Sequence, residues 1–182
     1  VSAFLLNRSS DLFEGVVAAG SSLDVGVSAP FGPVNGFSYN ITVDNPGNSL
    51  LYWGQGVFGS PLSTTTFGVN GPNDDVIINF TGANVTAFGG NIFITDQFFG
   101  PVTGTMTVTL SDGSNVVLNN PYQTSFVGFT SDTAISSVTI SATGPGNTYI
   151  TMDNLYVGVA VPAPGAAAVL GLAGVAGLRR RR

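Results

Sequence analysis

The 182-residue sequence predicts an all-β fold, an antiparallel β-sandwich of jelly-roll type, on three observations. Apolar residues alternate with Ser, Thr and Asn at a period of two through much of the chain, as half-buried strands require. Clusters of Gly, Pro, Asn and Asp punctuate these runs at regular intervals. No helical pattern intervenes between the strands, so sheet-on-sheet packing is the way left to bury their apolar faces.

The elements follow in order. Ser9, Ser10 and Asp11 precede Leu12, Phe13, Val16 and Val17, whose helical spacing predicts a short capped amphipathic helix over about 9–19, ended by Gly20. The period then switches to two. Phe37, Tyr39, Ile41 and Val43 alternate with polar residues up to the turn Asp44-Asn45-Pro46-Gly47. Further strands are expected over 50–53, 64–69, 76–80, 85–94, 104–110, 115–118, 125–129, 135–141 and 148–157, about ten in all. The turn Ser111-Asp112-Gly113-Ser114 predicts a hairpin, with Asp-Gly at the tip to supply positive φ. The segment Thr143-Gly144-Pro145-Gly146-Asn147 is read as separating two more runs in the same way. Residues 1–158 are long enough for one domain with a sizeable core.

Beyond the domain the composition changes. A linker over 159–164 contains Val161, Pro162, Ala163 and Pro164. An apolar run over 165–178 follows, opening on Gly165, passing Leu170 and closing on Leu178 before Arg179, Arg180, Arg181 and Arg182. Such a run tends to helix and to enter a bilayer, while the arginines stay on the anionic cytoplasmic side. The prolines stop the helix running back into the domain. Fourteen residues fall short of the ~20 that cross a bilayer, which makes the tail an address more than an anchor. The spacings Ala167 to Gly171 and Ala173 to Gly177 leave open a packed oligomerisation helix.

This proline break, apolar run and basic cluster together resemble the PEP-CTERM sorting signal of exported bacterial proteins, with Ala163 standing where the usual signal carries a glutamate. The resemblance extends into the domain. It covers Phe4-Leu5-Leu6-Asn7-Arg8, Val85 to Asn91, the hairpin at Ser111-Asp112-Gly113, Phe126 to Asp132 with Ile135 to Val138, and Met152-Asp153-Asn154-Leu155 ending at Gly158. It implies secretion, processing by an exosortase-type enzyme, transient contact with the membrane through the tail, and attachment or release at the cell surface. A chain opening on Val1 is then expected to begin after a removed signal peptide.

Composition excludes several chemistries. With no Cys, His or Lys, the usual nucleophilic triads, a Ser-Lys dyad and zinc held by nitrogen or sulfur are ruled out. Ten acidic residues face a lone Arg8 ahead of the tail, which argues against binding nucleic acid. Only 8% of residues are charged, a composition of hydroxyls and amides often found outside cells. A carboxylate pair for glycoside hydrolysis is conceivable, but Asp44, Asp112 and Asp132 read as turn residues and Asp74-Asp75 as a turn before a strand. No catalytic residue and no enzyme activity are expected. Calcium takes oxygen ligands, in which the chain is rich, and the resemblance to jelly-roll modules implies Asp153 in the closing strand as the candidate for a structural calcium, approached by Asp24 and Asp44 from the first strands. Turn or strand-end placement is the simpler reading of each.

Trp53, Phe98, Phe99 and Tyr122 lie near Gly- or Pro-rich turns and form a candidate sugar-stacking platform. Core packing is the competing reading for Trp53, and one of Phe98 and Phe99 is expected at the surface. Sequons begin at Asn7, Asn40, Asn79 and Asn84 and bear on glycosylation only in a host with that machinery. The function expected is that of a non-enzymatic surface or matrix protein acting in adhesion, envelope or biofilm structure, with extracellular polysaccharide or like subunits as partners. Two alternatives remain open: a filament or sheath subunit docking by its tail or an edge strand, and a calcium-supported carbohydrate-binding module.

Overall fold

The computed structural model describes residues 22–26, 28–34, 36–44, 51–54, 66–82 and 84–160. The helix expected over 9–19, the motif Val161-Pro162-Ala163-Pro164 and the tail over 165–182 lie outside the described residues. Among the described residues there are twelve strands and no helix. They are β1 (Ser22–Gly26), β2 (Ser28–Val34), β3 (Phe37–Val43), β4 (Leu51–Gly54), β5 (Thr66–Val69) and β6 (Val76–Phe80), then β7 (Ala87–Thr95), β8 (Thr105–Leu110), β9 (Asn115–Asn119), β10 (Phe126–Thr130), β11 (Ser137–Thr143) and β12 (Tyr149–Gly158).

The strands form two six-stranded antiparallel sheets, as the period-two pattern requires. Sheet A has the order β1-β4-β5-β12-β7-β10, and sheet B the order β2-β3-β6-β11-β8-β9. Alternation along β3 puts Tyr39, Ile41 and Val43 inside, while β8 does the same with Met106, Val108 and Leu110. From sheet A, Phe67, Phe88, Ile92, Ile94, Ile150, Met152, Leu155 and Val157 meet them. Phe80 joins the layers, with its ring centroid 6.3 Å from Phe88 on sheet A and 6.3 Å from Tyr39 on its own sheet. Burial pushes the Tyr39 hydroxyl well above its ordinary pKa.

Three elements differ from the sequence reading. The sequence pattern misses β1 and β2; β2 carries Pro30 and Pro33, which only a strand at a sheet edge tolerates, and it is an edge of sheet B. The turn after Thr143 does not close a hairpin. β11 lies in sheet B beside β6 and β8, and β12 in sheet A beside β5 and β7, so this segment carries the chain from one layer to the other. By contrast, β8 and β9 form the expected hairpin. Gly113 has φ 87°, its N–H donates to the Leu110 carbonyl at 3.0 Å, and Asp112 Oδ1 accepts from the Ser114 N–H at 2.8 Å.

The chain re-enters sheet A through Thr148, which is fully buried and whose Oγ1 has no hydrogen-bond partner. A buried hydroxyl without a partner carries a desolvation cost that an isosteric methyl lacks. Thr148→Val is therefore expected to stabilise the fold by about 1 kcal/mol, read as a higher urea midpoint at unchanged slope.

Candidate functional site

The site on the outer face of sheet A is built by three of its strands, β12, β7 and β10, and one irregularity. Strict alternation from Ile150 and Met152 would send Asn154 and Tyr156 into the core. Instead β12 shifts register against β7 between Asp153 and Tyr156, with Asn154 at φ 51°. One extra residue opposite Gly90 is a β-bulge, and asparagine is among the few non-glycine residues that enter the left-handed region readily. Past the bulge Leu155 and Val157 are buried in the core, and Tyr156 stands on the opposite face. Asn154 Nδ2 donates to Asn91 Oδ1 at 3.3 Å, tying the bulge to the neighbouring strand.

Register places Tyr156 opposite Gly89, Gly89 opposite Gly128, and Phe126 opposite Asn91. The Phe126 ring lies over this glycine floor. A Cβ on Gly89 would come within 2.8 Å of Phe126 Cζ and 3.0 Å of the Val127 carbonyl oxygen, and one on Gly128 within 3.0 Å of Phe126 Cε1. The Phe126 and Tyr156 rings are 6.1 Å apart at 59°. Phe126 nonetheless keeps 54% of its surface exposed. The result is an aromatic shelf held from below by backbone and open above.

Polar groups border the shelf. Asn91 and Asn154 are half-buried beside it, and Asp153 pairs in register with Asn91 and is buried. Farther along, Thr95 Oγ1 and Thr151 Oγ1 share a hydrogen bond of 2.9 Å, and these two and Phe93 are withdrawn from solvent. Among the described side chains of this face, the open part lies on the β10 side. No lysine, arginine or histidine occurs among the described residues.

The structure distributes the residues singled out from sequence. Phe98 is 56% exposed and Phe99 is buried, as expected of the pair, though on a turn and not a strand. Asp96 Oδ1 accepts from the N–H groups of Phe98 and Gly100, and Phe99 takes φ 62°. Tyr122 is exposed in the β9–β10 connection, four residues ahead of Phe126. Phe98 and Tyr122 thus lie in two different connections, β7–β8 and β9–β10. Trp53 stands on β4 opposite Phe67 in register, and its side chain lies outside the described part. Phe126 and Tyr156 were not legible as site residues. Phe126 sits in a run, Phe126 to Phe129, with apolar residues on both faces, and Tyr156 reaches the surface only through the bulge.

The carboxylates expected around a calcium do not converge. Asp24 lies on β1, three strand spacings from β12, or about 14 Å at the usual interstrand distance. Asp44 follows β3 at the end of the other sheet, where its Oδ1 accepts from the Asp75 N–H at 2.9 Å. Among the described residues no group of three or more carboxylates could hold a metal ion.

The Asp75 carboxylate accepts from Ser141 Oγ at 2.7 Å. Partial burial raises its pKa above the ordinary 3.8, the Ser141 bond lowers it, and Asp44 and Asp74 raise it further. The folded protein therefore holds this proton more tightly than the unfolded chain. The resulting stability is present below pH 3.8 and is lost as pH rises through the folded value. Asp75→Asn should gain on the parent protein in urea midpoint across that rise. Exposed Asp112 has the opposite sign: backbone bonding from Ser114 lowers its pKa, so its contribution is lost as pH falls.

No family model matches the sequence, and no curated protein is similar to it. Among solved structures, the CBM22-1 xylan-binding domain from Paenibacillus barcinonensis Xyn10C is similar over 81% of this chain and 99% of that domain, at 11% identity and a TM-score of 0.34. A likeness at that level says nothing about what this chain binds. Fold and site define the class on their own: an antiparallel two-sheet β-sandwich with an open aromatic shelf on one face.

Proposed function

We propose that this chain is an exported, non-enzymatic protein that binds neutral polysaccharide on the outer face of sheet A and acts in adhesion or matrix structure at the cell surface. The observation that carries the reading is the Phe126–Tyr156 shelf over Gly89 and Gly128. An aromatic face offers the apolar side of a pyranose ring a flat surface, and the amides of Asn91 and Asn154 supply donors and acceptors for its hydroxyls. A ring already seated on backbone loses little freedom on binding. Charge selects among polysaccharides. The protein's net charge of −5 repels a polymer carrying uronate or sulfate groups, whereas a neutral glycan meets no such repulsion.

Delivery through the tail belongs to the same proposal. The PEP-CTERM-like segment from Val161 to Arg182 would bring the chain to an exosortase-type enzyme, with transient membrane contact before release or attachment. The jelly-roll winding is likewise part of this reading. Retention in affinity gels cast with neutral and with acidic polysaccharides tests the ligand class. Retardation by a neutral polymer and passage through an acidic one is the expected outcome; equal passage through both sinks the proposal. Intact mass of the native protein tests the tail, with a chain ending near Pro162 or Pro164 expected and full mass through Arg182 counting against sorting.

A further inference from the structure

Sheet B ends on one side at β2 and on the other at β9. β9 is the last strand of that sheet, and its residues Asn115, Val117 and Asn119 are all exposed, Val117 at 52%. The hydrogen bonds at the two ends of the hairpin fix which backbone groups β8 uses. Leu110 N–H donates to the Ser114 carbonyl at 2.8 Å, and Asn120 N–H donates to the Gly104 carbonyl at 2.7 Å. Hydrogen-bonded and non-hydrogen-bonded pairs alternate along an antiparallel ladder. With Leu110–Ser114 and Gly104–Asn120 bonded, Val108–Val116 and Met106–Leu118 are bonded too, and Thr109–Asn115, Thr107–Val117 and Thr105–Asn119 are not. The N–H and C=O groups of Asn115, Val117 and Asn119 therefore point away from β8, along an open edge.

Native sheets usually guard such an edge with a charge, above all lysine, with proline or with a bulge. This edge has none of these, and an apolar side chain occupies its centre. Its sequence is close to symmetric about that centre, Asn115-Val116-Val117-Leu118-Asn119. We infer that β9 pairs antiparallel with β9 of a second copy about a two-fold axis through Val117. Val117 then faces its own symmetry mate, and Asn115 faces Asn119 of the other copy. Each of these three pairs exchanges two backbone bonds, and sheet B runs on from one protomer into the next. The acidic hairpin tips, each carrying Asp112, fall at opposite ends of the pair, so the one strand that meets its own kind is uncharged in a protein of net charge −5. An isologous contact of this kind closes as a dimer.

Sedimentation equilibrium of the full chain over a range of concentrations tests this. A monomer–dimer equilibrium is expected, tightening as added salt screens the like net charges. Val117→Pro removes the outward N–H at the axis without removing a bond to β8, and Val117→Lys places like charges face to face. Either is expected to weaken the dimer by about tenfold or more. Val117→Thr should retain the dimer, and far-UV circular dichroism with a melting curve verifies that each variant is folded. Amide exchange at Asn115, Val117 and Asn119 should slow as protein concentration rises. A chain that stays monomeric overturns the inference, as does self-association that both folded variants leave unchanged, which would assign it to another surface or to the tail. Polysaccharide retention per protomer should be the same in all three variants.

Discussion

Phe126→Ala is expected to abolish retention on neutral polysaccharide while the domain stays folded. The ring contributes little to the core: it is more than half exposed, on the edge strand of sheet A, and its inner face rests on Gly89 and Gly128. Truncation uncovers glycine backbone at a cost near 1 kcal/mol, well inside the stability of a domain this size. Binding loses far more. Removing an aromatic that anchors a small interface costs about 2 kcal/mol or more, a drop in affinity of roughly thirtyfold. Tyr156→Ala should approach the same loss, and the double variant should fall short of the sum, because the two rings form one surface. Gly89→Ala reaches the site from below. Its methyl would press on Phe126 Cζ and on the Val127 carbonyl, so weakened retention with both rings present is expected. Gel retardation with melting curves for each variant separates lost contact from lost fold.

Asn154→Val should cost both stability and binding. A β-branched residue at φ 51° is forced into a region it rarely enters, at about 1–2 kcal/mol, and the 3.3 Å bond to Asn91 goes as well. The strand can escape by dropping the bulge, but Tyr156 would then turn inward and Leu155 outward. Asn154→Gly should be close to neutral for stability, since glycine takes positive φ freely. Deleting Asn154 gives the sharpest contrast. Asp153, Leu155, Tyr156 and Val157 would then alternate regularly, so the core and the exposed tyrosine are both expected to survive with a straighter strand. A deletion less stable than Asn154→Val would mean the bulge does more than set the alternation. Urea midpoints for the four proteins decide it.

The strands from Phe37 to Gly158 are legible along the chain because each needs only local information. Alternation declares a half-buried strand, and Asp112-Gly113 declares its hairpin through the φ that glycine alone takes without cost. Which of Phe98 and Phe99 is exposed does not follow from that rule, because the pair lies on a turn held by Asp96. The absence of Cys, His and Lys likewise restricts the chemistry before any folding. Pairing is a different kind of information. Nothing in the turn after Thr143 distinguishes a hairpin from a crossing between sheets, since Gly144, Pro145 and Gly146 serve either; only the competition of β6, β8 and β5, β7 for partners decides it. The separation of Asp24, Asp44 and Asp153 is hidden for the same reason, because strand order puts them at three separate places.

The sequence by itself determined the all-β class, the strand faces up to the bulge, and the poverty in charge. Tertiary structure decided where the site lies. A one-residue bulge at Asn154 reversed the facing of Tyr156, and the β7–β10 register laid Phe126 across two glycines more than 35 positions apart along the chain. Alternation is a property of neighbouring residues, whereas a shelf needs two rings from strands that meet only through β7, and that meeting is fixed by sheet pairing.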